Sequence, residues 1–192
     1  MPRLVQGVGI NDGKYPTRVN GSIKKEYRLW TNMLGRCYNE ETKKKYPTYI
    51  GCSVSDNFKS YSYFYEWCQS QIGFNQNDYH LDKDLITKGN KIYSEDTCVF
   101  IPPHINNLLI KSNSARGILP IGVTKNKEGF QAQCSVYSVS KKLGTYSTTE
   151  LAFNAYKVFK EEHIKELTEK YKDTIDPRAY KALLNYEVHI DD

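Results

Sequence analysis

The spacing of apolar residues along this chain changes character twice. Across residues 22–38, Tyr27, Trp30, Met33 or Leu34, and Cys37 recur at intervals of three and four, which predicts an amphipathic helix capped by Ser22. The same period returns over residues 58–72, where Phe58, Tyr61, Phe64, Tyr65, Trp67 and Cys68 form a broad aromatic face. Asp56 or Asn57 is placed to cap this second helix and Gly73 to close it. Between the two, Lys43-Lys44-Lys45-Tyr46-Pro47 reads as a basic turn leading into a short strand over residues 49–54. Ahead of both, Gly7, Gly9, Gly13, Pro16 and Gly21 predict an irregular arm over residues 1–21.

From residue 118 the period falls to two. Three short strands are expected, at about 119–125, 129–138 and 141–147. In the middle one Phe130, Ala132, Cys134 and Val136 point one way, and Gln131, Gln133, Ser135 and Tyr137 the other. Such alternation marks a sheet with one covered and one open face. Ser147 with Glu150 forms a capping box, opening a helix to about residue 171. Its Leu151/Ala152, Ala155/Tyr156, Phe159, Ile164 and Leu167 supply a cover for the apolar side, with small Ala152 and Ala155 allowing close approach. The open face then presents Gln131, Gln133 and Ser135, rimmed by Lys125, Lys127, Lys141 and Lys142. A sheet can enter a major groove, where glutamine pairs with adenine and lysine reaches guanine or phosphate; an ordinary solvated face is the plainer meaning. Asp176-Pro177 opens a last helix over residues 177–186.

Between the helical and sheet-forming regions lies the stretch HLDKDLITKGNKIYSEDTCVFIPPHINN, residues 80–107. Read as a strand, its start places His80, Asp82 and Asp84 on one face. Gly89-Asn90 suits a reversal, and Cys98-Val99-Phe100-Ile101 a short return strand. Pro102-Pro103 then opens a helix carrying His104, Asn106 and Asn107. Acids on a strand and His/Asn on a helix suit one hard divalent cation. The plainer alternative is that Asp82 and Asp84 bond loop amides or pair with Lys88 and Lys91.

Composition changes this picture only modestly. The formal net charge of +5 and 16 tyrosines lean toward an anionic partner that bases or phosphates could supply. No signal peptide and no eighteen-residue apolar span is visible, so no membrane role is expected. The five cysteines, Cys37, Cys52, Cys68, Cys98 and Cys134, are odd in number and lack a CxxC pair, which reads as reduced thiols in a cytoplasmic setting. Zinc held by Cys37, Cys52 and Cys98 is an unfavoured possibility without paired spacing.

Two resemblances attach to these residues. Gly122-Val123, Phe130-x-Ala132, Leu143-Gly144-x-Tyr146-x-Thr148, Glu150-x-Ala152 and Ala155-Tyr156 resemble the plant APETALA2/ethylene-response-factor DNA-binding domain and its relatives in mobile elements. That resemblance implies a three-stranded sheet on a helix, with the sheet in the major groove, although Gln131 and Gln133 replace the arginines and tryptophans usual there. The stretch from YRLWTNMLGRCYN through LDKD, GNKIYS and CVFIPPHINNLL is similar to divergent HNH, or ββα-metal, homing-type endonucleases of phages. Laid on this chain, the base position falls on Asp82 and the next strand acid on Asp84. The helix ligand falls on Asn106, with His104 or Asn107 as alternatives. Leu81 occupies the usual first ligand position. Asn90 sits early for the loop asparagine, and Thr97 takes the later slot. The resemblance then implies Mg²⁺ (or Mn²⁺) on Asp82, Asp84 and Asn106. His80 would serve as base and Lys83 would reach a phosphate.

The expected fold is therefore α+β: a ββα-metal unit with helical support (residues 22–110), then a three-stranded antiparallel sheet packed on one helix (117–171). A boundary is expected in the polar run after Leu109, and residues 172–192 form a terminal helix and tail. The expected activity is divalent-metal-dependent hydrolysis of a phosphodiester in double-stranded DNA, as a nicking or homing-type endonuclease. Alternatives are a non-cleaving DNA-binding regulator and a phage protein that binds and inhibits a host protein.

Overall fold

Asn20 and Gly21 both take positive φ (49° and 78°), the backbone of a two-residue hairpin turn. They join β1 (Arg18–Val19) to β2 (Ser22–Ile23) in antiparallel register. The computed structural model describes residues 4–76, 78–110, 117–137 and 139–192. It divides into two compact units, Met1–Ile101 and Pro102–Asp192. The polar run expected to hold the boundary falls at residues 111–116, outside the described residues, as does Ser138.

In the first unit the glycine-rich arm is docked against the fold. Ile10 N donates to Lys59 O at 2.8 Å, and Tyr61 N donates to Ile10 O at 2.9 Å. Gly9 lies so close to Leu34 and Trp30 that a Cβ there would collide with both side chains. The arm is thus more ordered than its glycines suggested, and Ser22 belongs to β2 rather than capping a helix. Helix α1 (Lys25–Tyr38) buries Glu26, Trp30, Met33, Leu34 and Cys37. Glu26 is tolerated inside because its Oε1 accepts from Gln69 Nε2 at 2.9 Å. Helix α2 (Glu40–Lys45) contains the lysines expected in a turn. Asn39 Oδ1 caps it by accepting from Thr42 N at 2.9 Å. Residues 57–59 form a 3₁₀ turn, and α3 (Tyr61–Ser70) begins after Ser60, whose hydroxyl accepts from Tyr63 N. Asp56 and Asn57 therefore do not cap this helix.

The aromatic faces meet as expected: Trp30, Phe58, Tyr61, Phe64 and Phe100 are fully buried. Phe58 meets Phe64 edge-on at 5.1 Å, and Trp30 Nε1 donates to Phe58 O at 2.8 Å. Two small strand pairs are carried by this core. Strand β3 (Ser53–Val54) runs parallel to β5 (Ile92–Tyr93), and β4 (His80–Asp82) runs antiparallel to β6 (Val99–Ile101).

The second unit begins with α4 (Pro103–Leu109), so the strand–loop–strand–helix order read from residues 80–107 is present along the chain. Its sheet has the order β7 (Val123–Asn126), β8 (Gly129–Val136), β9 (Val139–Tyr146), all antiparallel. Helix α5 (Thr149–Lys170) covers one face of the sheet, and α6 (Pro177–Leu184) packs on α5. Thr148, one residue beyond the expected Ser147, caps α5 by accepting from Leu151 N at 3.3 Å. Ala152, Phe153, Tyr156, Ile164 and Leu167 are buried beneath the sheet together with Lys160, whose ammonium donates to Tyr156 Oη at 2.7 Å. Gly122, at φ +76°, passes directly against the Tyr156 ring and leaves no room for a Cβ. Among the described residues no helix is long and apolar enough to cross a membrane.

Candidate functional site

Strand β4 stops at Asp82 because that carboxylate turns back on its own chain. Its Oδ1 accepts from Asp84 N at 2.9 Å and from Leu85 N at 2.7 Å, an Asx-type turn that ends the ladder. Asp84 is therefore not on the strand face it was expected to share with His80 and Asp82. Its exposed carboxylate lies 3.3 Å from Lys83 Nζ instead. The expected pairing with Lys88 and Lys91 is replaced by this contact and, for Lys91, by donation to Thr48 O at 2.7 Å. Asp82 is half-buried, and its Oδ2 meets no donor among the described residues. Burial, and after it the nearby Asp84 charge, push its carboxyl above the usual aspartate range against the pull of the two amides.

Lys83 faces inward rather than toward a phosphate. It is 8% exposed, and its ammonium donates to Asn90 O at 3.0 Å and sits 5.7 Å from the Tyr93 ring centroid. That corrects its expected role. His80, at the start of β4, is exposed.

The residue that holds this loop is Asn90. Its Nδ2 donates to Lys83 O at 2.7 Å and to Ile92 O at 2.6 Å, while Oδ1 accepts from Ile92 N at 3.2 Å. Thr97 Oγ1 donates to the same Ile92 carbonyl at 2.8 Å. Asn90 and Thr97 thus both fasten this loop through Ile92. Only the fold shows that their side chains converge on one carbonyl.

Asn106 and His104 lie on α4 in the second unit, with Asn106 half-buried and His104 exposed. The His104 ring meets Tyr137 edge-on at 5.0 Å. Among the described residues no three His, Cys, Asp or Glu side chains converge as metal donors. All five cysteines are free and buried. Burial pushes the Cys37 and Cys98 thiols up to about 12, which disfavours the thiolate that zinc requires.

On the sheet, register sorts the candidate DNA contacts by face. Ala132 and Cys134 are buried under α5, so Gln131, Gln133 and Ser135 face away from it. Gln131 stands between Thr124 on β7 and Thr145 on β9, and Gln133 stands opposite Lys142. The register skips Leu143 between Ala132–Gly144 and Gln133–Lys142, a bulge that changes the alternation of β9. Lys141 pairs with Cys134 and turns to the covered side, its ammonium 4.6 Å from the Phe159 ring centroid. Lys125 shares the Phe130 row on the covered side, though at the strand end it is exposed, and Lys127 is exposed in the β7–β8 turn. Of the four expected rim lysines, Lys142 alone projects from the open face. Asn126 joins it there, with Nδ2 3.5 Å from Thr145 Oγ1. Thr124, Asn126 and Thr145 had not been singled out from the sequence, because their faces depend on the register.

Charge is divided within this unit. Residues 117–148 carry Lys125, Lys127, Lys141 and Lys142 against the single acid Glu128, whereas residues 149–192 carry ten acidic and seven basic side chains. The segment that forms the sheet is thus net positive and the segment that forms the helices net negative. No protein-family model, curated protein or solved structure matches the chain.

Proposed function

We propose that this chain is a duplex-DNA-binding HNH-like endonuclease. Its sheet docks in the major groove, and the Asp82 segment hydrolyses a phosphodiester. The observation that carries the DNA partner is the open, amide-rich face of the sheet with Lys142 on it, in a segment whose four lysines stand against one acid while the helical segment is net negative. A polyanion approaching such a unit is drawn to the sheet.

Cleavage rests on the strand–loop–strand–helix order and on Asp82. Its Oδ2 meets no donor among the described residues, and the exposed Asp84 carboxylate lies two residues on. Two neighbouring carboxylates, one raising the proton affinity of the other, are oxygen donors of the kind that fits Mg²⁺ or Mn²⁺. A cation held there supplies charge stabilisation to a pentacoordinate phosphate. The chain's own part is to fix Asp82 by the Asp84 and Leu85 amides, to lock the loop through Asn90, and to present exposed His80 as proton acceptor for a water.

A second reading, a non-cleaving DNA-binding regulator, is favoured by the same turn. Asp82 Oδ1 is already engaged in ending β4, and Lys83 is turned inward, so both residues have structural duties. Incubation of supercoiled plasmid with Mg²⁺ or Mn²⁺, and with EDTA, separates the two. Metal-dependent nicking that disappears in the Asp82→Ala, Asp84→Ala double variant is the expected result. DNA binding without nicking by the unaltered chain refutes the nuclease and leaves the regulator.

A further inference from the structure

We infer that the open face of the sheet reads adenines, and that Gln131 and Gln133 address two of them separated by one intervening base. This rests on the duplex-DNA reading above and specifies the sequence class that the face selects. Four features of the sheet lead to it.

The side chains on the open face are amides and hydroxyls: Gln131, Gln133, Asn126, Thr124, Thr145 and Ser140, with Lys142 the only charge among the residues sorted to it. Residues 117–148 contain no arginine, the side chain that most often reads guanine through O6 and N7. Glutamine and asparagine instead pair bidentately with adenine, donating to N7 and accepting from the N6 amino group. The two glutamines also lie on one strand at positions i and i+2. At a strand rise of about 3.3 Å per residue they are about 6.6 Å apart. Two base steps along one DNA strand span about 6.8 Å, so a strand following the groove brings each glutamine to its own base without bending either partner.

The neighbours support the same assignment. Thr124 and Thr145 flank Gln131 in register and offer methyl groups, which suit the thymine methyl of an A·T pair. Ser140 Oγ lies 3.5 Å from Gln133 Oε1, so a hydroxyl donor stands beside that amide on the open face. The residues concerned lie mainly on β8 and β9, and a two-stranded ribbon is the β element that the major groove admits.

The test is selection of duplexes from a randomised pool by the full chain, followed by affinity measurements on the enriched site. Enrichment of two adenines spaced by one base on the same strand is expected. Replacing either with 7-deazaadenine, which removes N7 but keeps the base pair, should weaken binding about five-fold or more. Gln131→Glu replaces the NH₂ donor by an acceptor, so preference at one of the two positions should move toward cytosine while the other stays adenine. Selected sites without the adenine pair, or affinity unchanged by both 7-deaza substitutions, overturn the inference while DNA binding stands. A chain that retains no duplex at low salt overturns the DNA-binding reading, and this inference with it.

Discussion

Replacing Asp82 by asparagine and by alanine separates two duties of one side chain. In the folded chain Oδ1 accepts two loop amides, from Asp84 and Leu85. Asparagine keeps an oxygen in that position and removes the charge; alanine removes the acceptor. With about 1 kcal/mol for the part-buried Leu85 amide left without a partner, and less for the exposed Asp84 amide, Asp82→Ala should lose about 1–2 kcal/mol of stability. The charge acts in the opposite direction. Burial and Asp84 raise the folded carboxyl above its unfolded value, so ionising Asp82 opposes folding. That penalty is absent below the unfolded value of about 3.8, grows as pH rises through the raised folded value, and is complete above it. Asp82→Asn should therefore match the unaltered chain at the acid end of this window and equal or exceed it at pH 7. Urea unfolding followed by tryptophan fluorescence suits the measurement, because both tryptophans, Trp30 and Trp67, lie in the same unit as Asp82. An asparagine variant as unstable as the alanine variant refutes the acceptor argument. An alanine variant of unaltered stability refutes the turn itself. Under the nuclease reading both variants lose metal-dependent nicking, whatever their stability.

Other consequences can be measured as directly. Asn90→Ala forfeits three side-chain hydrogen bonds and should lower the urea midpoint by the equivalent of about 2–3 kcal/mol; Asn90→Asp, which sets a carboxylate against two carbonyls, should do worse. Gly122→Ala meets the Tyr156 ring at a positive φ and should destabilise the second unit by more than about 2 kcal/mol, visible as a lower thermal midpoint by circular dichroism. Lys142→Ala should weaken duplex binding and flatten the slope of log affinity against log salt by about 0.9, whereas Lys141→Ala should leave that slope nearly unchanged. Lys141→Ala should instead cost about 0.5–1 kcal/mol of stability through its lost contact with Phe159.

The sheet-on-helix part of the fold was legible because Phe130, Ala132, Cys134 and Val136 keep strict alternation over a whole strand, and Ala152 and Tyr156 keep helical spacing beneath it. Helix α2 was missed because EETKKK has no apolar residue to reveal a period; its Asn39 cap and its acid-to-base polarity were the usable signals. The Asn20-Gly21 hairpin carried a strong local signature that the surrounding glycines obscured. At the candidate site, the bonding of Asp82 to loop amides was offered as the plainer alternative, but the end of the strand that it sets was not legible. Asx turns break a strand that alternation alone would continue to Asp84. The inward course of Lys83 depends on a carbonyl seven residues away, and the interlocking of Asn90 with Thr97 on a third residue between them. These are loop contacts with no periodic trace in sequence.

The extra residue in β9 acts as a phase shifter. Before Leu143 the strand places Lys142 outward and Lys141 against the helix; carried back from Gly144 without interruption, simple alternation would exchange them. One backbone irregularity thus decides which lysine stands on the open face and which lies over an aromatic ring. Pairing Leu143 with Gln133 instead of bulging it out would leave composition and net charge unchanged but invert the polarity of the strand segment from Val139 to Lys142. A change that decides whether the backbone bulges at this point is therefore a short evolutionary route to altered binding, available without replacing any side chain on the open face of β8.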